Sequence, residues 1–203
     1  NIDCSKKLEE AGCTVIYGVE HYKVHSKLMV MTYRGKDKIR YITQIGTGNY
    51  NEKTARLYTD LSLITANEDI GREAIEVFKA LSLGQFVEKS QYLLVAPKQM
   101  KKPLMDLIDR EIAYAKNGEP AQVIVKTNSL SNKEMIDKLI EASQAGVKIV
   151  LLVRGICCLQ AGLPGISENI VIKSIVGRYL EHSRIFSFGI GKRQRIYIGS
   201  ADW

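Results

Sequence analysis

Two distant stretches of this 203-residue chain share a pattern, Tyr-x-x-His-Ser-cation-aliphatic: "YKVHSKL" (22–28) and "YLEHSRI" (179–185). Each sets a histidine two residues before a cation, His25 before Lys27 and His182 before Arg184. An imidazole can attack a phosphorus atom or pass a proton, and a cation beside it neutralises phosphoryl oxygens. Alternate residues of a strand share a face. Each pair is therefore expected to project together, with the two histidines on facing strands at one site. One histidine is then the nucleophile, and the other handles the proton or the leaving oxygen. A single pair means little, because 29 of the 203 residues are Lys or Arg and such a spacing arises readily by chance. Two pairs with the same sequel are a different matter.

Each motif continues into a strand, a basic hairpin tip, a second strand and a glycine turn, "GTGN" (46–49) or "GSAD" (199–202). The first hairpin is four residues longer, as His25-to-Asn49 and His182-to-Asp202 show. "LEEAGCTVIYG" (8–18) likewise resembles "IEASQAGVKIVLLVRG" (140–155), an Ala-Gly pair followed by a strand. The chain thus reads as an internal duplication: one half over 1–88 and another over 89–203, joined after a helix over 68–82. The Ala-Gly pair lies deep in the second half but at the start of the first. The first half is therefore expected to be truncated at its N-terminus by an opening βαβ of roughly 45 residues. Without an initiating Met, the chain reads as a piece of something longer.

In the second half, strands over 91–96, 121–127 and 147–153 are expected to alternate with helices over 99–116 and from Ser131 or Asn132 to Gly146. That is βαβαβ, an α/β unit with a parallel sheet. Arg154 would emerge at the carboxyl end of a buried strand, where α/β sheets bind ligands; the plainer reading is a packing arginine. Tyr58 can stack on a nucleotide or sit in the core. Asp60 can orient an imidazole as a triad carboxylate does, or pair with Arg56. The turns at Asn49 and Asp202 offer hydrogen bonds. "GTG" (46–48) either cradles phosphate with backbone N–H groups or simply turns the chain. His21, whose counterpart in the repeat is Arg178, is assigned either to the surface or to a supporting place behind the site.

A formal net charge of +7 suits polyanionic partners. The tips "KDKIR" (36–40) and "KRQR" (192–195) either line a path for a polyanion or are solvated turns. The absence of a long apolar run argues against a transmembrane segment. Cys4, Cys13, Cys157 and Cys158 lack metal-site spacing and read as reduced packing residues of a cytosolic protein.

The paired motifs resemble the phospholipase D superfamily, whose two His-x-Lys halves meet at one phosphohistidine-forming site. "YKVHSKL", "IGTGNYNEKTARLYTDLSLITAN" (45–67), "LLVRGICCL" (151–159), "GISENI" (165–170), "SIVGRYLEHSRIF" (174–186) and "GSADW" (199–203) together resemble polyphosphate kinases of the phosphohistidine type, over nearly the whole chain. The resemblance implies two duplicated phospholipase D-like α/β halves in a carboxyl-terminal fragment, poorly active alone. It implies reversible transfer of phosphate between ATP/ADP and inorganic polyphosphate, without nucleic acid. His25 would be phosphorylated, and Tyr58, Arg154 and His182 would contact nucleotide and phosphate. Mg2+ would accompany ATP, held at positions upstream of residue 1, with no metal ligand here. A homo-oligomer in the cytoplasm, with room for peripheral contact at a membrane, completes the expectation. The rival readings are a phospholipase D-like phosphodiesterase or nuclease and a non-catalytic polyanion-binding module; the first explains the paired histidines but not the extra segment 45–67, the second only the charge.

Overall fold

The structure is a computed structural model describing residues 2–203. In chain order the elements are α1 (Ile2–Glu10), β1 (Lys27–Arg34), β2 (Ile39–Gly46), α2 (Glu52–Ala55), β3 (Tyr58–Thr59), β4 (Ser62–Thr65), α3 (Glu68–Ser82), α4 (Lys101–Lys116), β5 (Gln122–Thr127), α5 (Lys133–Gln144), β6 (Lys148–Val153), β7 (Ile170–Lys173), β8 (Leu180–Glu181), β9 (Arg184–Phe188) and β10 (Arg195–Gly199). The class is mixed α/β.

The helices begin where their caps allow. The Asn67 carboxamide accepts the N–H groups of Asp69 and Ile70 at the start of α3, and Asn132 accepts that of Met135 in α5. Gly71, Ala74 and Val77 put one face of α3 on β2 and β1. Glycine is required at 71 because a Cβ there would stand 2.4 Å from that of Tyr41. α5 buries Met135, Ile136, Leu139 and Ala142.

Three sheets form. One is β1-β2-β4, wholly antiparallel. The second has the order β10-β9-β5-β6-β7: β5, β6 and β7 run parallel, and the β9–β10 hairpin joins antiparallel to β5. The duplication is visible in register, since Lys27 pairs with Gly46 and Arg184 with Gly199. The main core lies in the second half, around Leu104, Ile108, Leu139, Ile149, Leu151 and Phe188. The third sheet is a short parallel pair, β3 with β8, and it fastens one half to the other. The Leu180 N–H donates to Leu57 O at 2.9 Å, and the Ser183 N–H to Thr59 O at 3.1 Å.

Several expectations need correction. Residues 91–96 form no strand, so the second half lacks the opening β of βαβαβ. The N–H groups of Gln91, Tyr92 and Leu93 donate instead to the Glu73 carboxylate on α3, and both edges of β5 are taken by β6 and β9. Residues 13–18 form no strand either, having no neighbouring strand among the described residues to satisfy their backbone groups. The four cysteines are free thiols, but Cys4, Cys13 and Cys158 are exposed rather than packed. The hairpin tips are mostly exposed, as the solvated-turn reading has it, with Lys38 paired to Glu68 at 2.7 Å and Arg193 over the Tyr114 ring.

Leu151 is fully buried in β6, between β5 and β7. Leu151→Ala is expected to cost about 2–5 kcal/mol by deleting apolar contacts and leaving a cavity. Urea unfolding checks this, and a loss below about 1 kcal/mol would mean that the site collapses to fill the gap.

Candidate active site

Neither histidine lies within a strand. His25 and His182 each stand two residues before one, and β1 and β9 begin at the cations Lys27 and Arg184. Strand alternation therefore does not explain the His-x-cation spacing. In both halves the cation folds back onto the histidine's own carbonyl: Lys27 Nζ donates to His25 O at 2.6 Å, and Arg184 Nη1 donates to His182 O at 2.8 Å. The shared spacing builds a shared clamp.

Each histidine takes its Nδ1 partner from the opposite half, and the partners differ. His25 Nδ1 lies 3.0 Å from the backbone carbonyl oxygen of Ser200. A carbonyl only accepts, so Nδ1 carries the proton and Nε2 keeps its lone pair. His182 Nδ1 lies 2.8 Å from Oδ1 of Asp60, a carboxylate suited to holding an imidazolium. The segment 58–60 thus serves the second histidine, and Arg56 pairs with Glu52 rather than with Asp60.

Arg184 connects the parts. Its Nη1 stands 3.1 Å from His182 Nε2, and its Nε and Nη2 donate to the two oxygens of Asp202 at 3.1 and 3.3 Å. Asp202 also accepts from the Thr127 hydroxyl and the Asn128 N–H, both at 2.9 Å. Burial works against its charge, but the bonds from Arg184, Asn128 and Thr127 hold its carboxyl below the usual carboxylate range. Arg154 reaches the same network, its Nε donating to Asn128 Oδ1 at 3.2 Å. Tyr58 stands beside His182 with ring centroids 4.8 Å apart.

Burial, then the charges of Lys27 and Arg184, holds His25 below the usual histidine range against the opposing bond to Ser200. Lys27 is likewise depressed by burial and by Arg184, while Asp60 pulls the other way. These cross-influences place both motifs in one electrostatic site.

The structure brings together His25, Lys27, Tyr58, Asp60, Arg154, His182, Arg184 and Asp202. It does not bring Asn49 into equivalence with Asp202: Asn49 is exposed, and its carbonyl accepts from the Asn51 N–H. His21 and Lys23 share the His-x-Lys spacing, but His21 is exposed in a turn at φ +64°, with Nε2 3.6 Å from Glu20. Sequence reasoning overlooked Asn128, although it follows β5 as Arg154 follows β6, at the same end of the sheet. It also overlooked the Ser200 carbonyl, which leaves no side-chain signal.

Residues 93–203 match the family described as polyphosphate kinase C-terminal domain 2, and residues 1–86 match polyphosphate kinase C-terminal domain 1. The chain belongs to the polyphosphate kinase family. It is 49% identical over 203 residues to a polyphosphate kinase of Bacillus anthracis, covering all of this chain and 29% of that one. It is 44% identical to a polyphosphate kinase of Streptomyces coelicolor, covering all of this chain and 27% of the relative. The crystal structure of a polyphosphate kinase from Porphyromonas gingivalis superposes with a TM-score of 0.88 at 38% identity, over all of this chain and 34% of the other. The chain thus spans about a third or less of the polyphosphate kinases it matches.

Among the described residues, no group of three or more His, Cys, Asp or Glu side chains is placed to hold a metal ion. The two carboxylates of the site are already engaged, Asp60 by His182 and Asp202 by Arg184. These two carboxylates are therefore not free to act as Mg2+ ligands. Among the described residues, no helix is long and apolar enough to cross a membrane.

Proposed function

We propose that this chain forms the transfer centre of an enzyme that moves the γ-phosphoryl group of ATP reversibly onto inorganic polyphosphate, through a phosphohistidine on His25. The asymmetry of the two Nδ1 partners carries this reading: a neutral carbonyl beneath His25, a carboxylate beneath His182. Nε2 of His25 attacks the γ-phosphorus, an N–P bond forms, the bridging P–O bond breaks and ADP leaves with that oxygen. The terminal oxygen of a polyphosphate chain then attacks the same phosphorus, forming a P–O bond as the N–P bond breaks.

Lys27 and Arg184 neutralise the transferring group, and such transfers ask mainly for positioning and charge. His182, held by Asp60, donates a hydrogen bond or proton to the leaving oxygen. Tyr58 and Arg154 serve the nucleotide and its phosphates. Mg2+ is assigned to the phosphates of the nucleotide rather than to side chains of this chain. The halves over 1–88 and 89–203 are read as two phospholipase D-like units, within a homo-oligomer of the cytoplasm that is peripheral to any membrane it meets.

γ-Labelled ATP given to the full-length protein should leave acid-labile, base-stable label that chases into polyphosphate or back onto ADP. Label lost only to water, or turnover of a diester without ATP, would favour a phospholipase D-like hydrolase.

The pH dependence has a definite sign. Only the neutral His25 has a lone pair at Nε2, and its lowered pKa keeps it neutral to lower pH. The acidic limb of kcat/KM for ATP is therefore expected below the usual histidine value of about 6.5. Lys27→Met removes one of the depressing charges and should move that limb upward. A limb at or above the usual value in the unaltered protein would contradict the assignment.

A further inference from the structure

The "GTG" turn was a candidate phosphate cradle, yet Thr47 at its centre faces inward. Thr47 is fully buried and its N–H donates to Leu61 O at 3.0 Å. Its hydroxyl donates to Asp60 Oδ1 at 2.6 Å and accepts from the Leu61 N–H at 2.9 Å. Asp60 Oδ1 is the same oxygen that bonds His182 Nδ1. Gly48 closes the seat from the other side. A Cβ there would stand 2.6 Å from both Cγ and Oδ2 of Asp60, closer than any side chain tolerates.

We infer that the Thr47–Gly48 turn is the positioning element for His182: a hydroxyl and a missing side chain in the first half seat the carboxylate that orients an imidazole of the second. A carboxylate oxygen with two donors has one direction left to turn, so the imidazole plane is set by the turn as well as by β8. Neither residue touches substrate. The kinetic consequence rests on the phosphoryl-transfer reading; the geometric one does not.

The test uses the full-length protein with Thr47→Val, Thr47→Ser and Gly48→Ala. The first readout is the rate at which diethyl pyrocarbonate modifies His182 and His25 at fixed pH, mapped by mass spectrometry. Thr47→Val and Gly48→Ala should raise the rate at His182 severalfold and leave that at His25 unchanged. The second readout is steady-state transfer. Thr47→Val should lower kcat about tenfold, as expected for loss of one hydrogen bond from a network, with the KM for ATP within about twofold. Thr47→Ser keeps the hydroxyl and should restore both.

Unchanged modification of His182 in both Thr47→Val and Gly48→Ala overturns the inference. Equal acceleration at both histidines also overturns it, because it would report general loosening. If the unaltered protein transfers no phosphate at all, the functional reading fails, while the modification rates still decide the role of the turn.

Discussion

Replacing His25 by alanine is expected to abolish acid-labile label from γ-labelled ATP in the full-length protein. The reason is chemical. A phosphoramidate needs a nitrogen lone pair aimed at phosphorus, and the bond from Nδ1 to the Ser200 carbonyl leaves that lone pair on Nε2 of His25. The depressed pKa keeps the lone pair available near neutrality. The substitution removes the only atom to which this mechanism attaches the phosphoryl group, so transfer to polyphosphate should disappear with the label. Acid hydrolysis and peptide mapping check it. Label that survives in His25→Ala and maps to a peptide containing His182 would reverse the two roles.

His182→Ala should behave differently. Label is still expected on His25, but its formation and discharge should slow by roughly the 10²–10⁴-fold typical of removing a general acid or base. In the resting site, Arg184 donates to Nε2 of His182 while Asp60 holds Nδ1, so the ring stands between a cation and a carboxylate. An arriving phosphoryl group offers the guanidinium a better acceptor, which frees Nε2 to take a proton from solvent and, as an imidazolium held by Asp60, to donate it to the leaving oxygen. Rapid-quench measurement of label formation separates this from loss of binding. A rate in His182→Ala within about threefold of the unaltered protein would rule out acid or hydrogen-bond assistance by His182, given the size expected.

Both predictions depend on contacts that cross between the halves. His25 leans on Ser200, His182 leans on Asp60, and β3 pairs with β8 between them. Neither half supplies the Nδ1 partner of its own histidine. Asp202, beside Arg184, is the counterpart in the repeat of Asn49, which lies exposed and away from that role. The duplicated sequence has therefore produced an unequal pair, and in the proposed mechanism that inequality separates a nucleophile from an assisting group.

The sequence by itself determined what repeats. Periodicity and end signals identified α4 and α5, and short apolar runs identified β5 and β6, because these elements satisfy their backbone groups locally or bury a contiguous face. The two His-x-cation motifs and the glycine turns named most of the site before any coordinates, since residue type limits chemistry. Tertiary structure alone decided which group each histidine faces. Asp60 was compatible with Arg56 or with an imidazole, and only the β3–β8 pairing brought it to His182, 122 residues away in sequence. The Ser200 contact uses a backbone carbonyl, which every residue possesses and no sequence marks. Residues 91–96 look like a strand from composition, but a strand exists only if a neighbouring edge is free. Here β5 had none to offer, and the Glu73 carboxylate took the N–H groups instead.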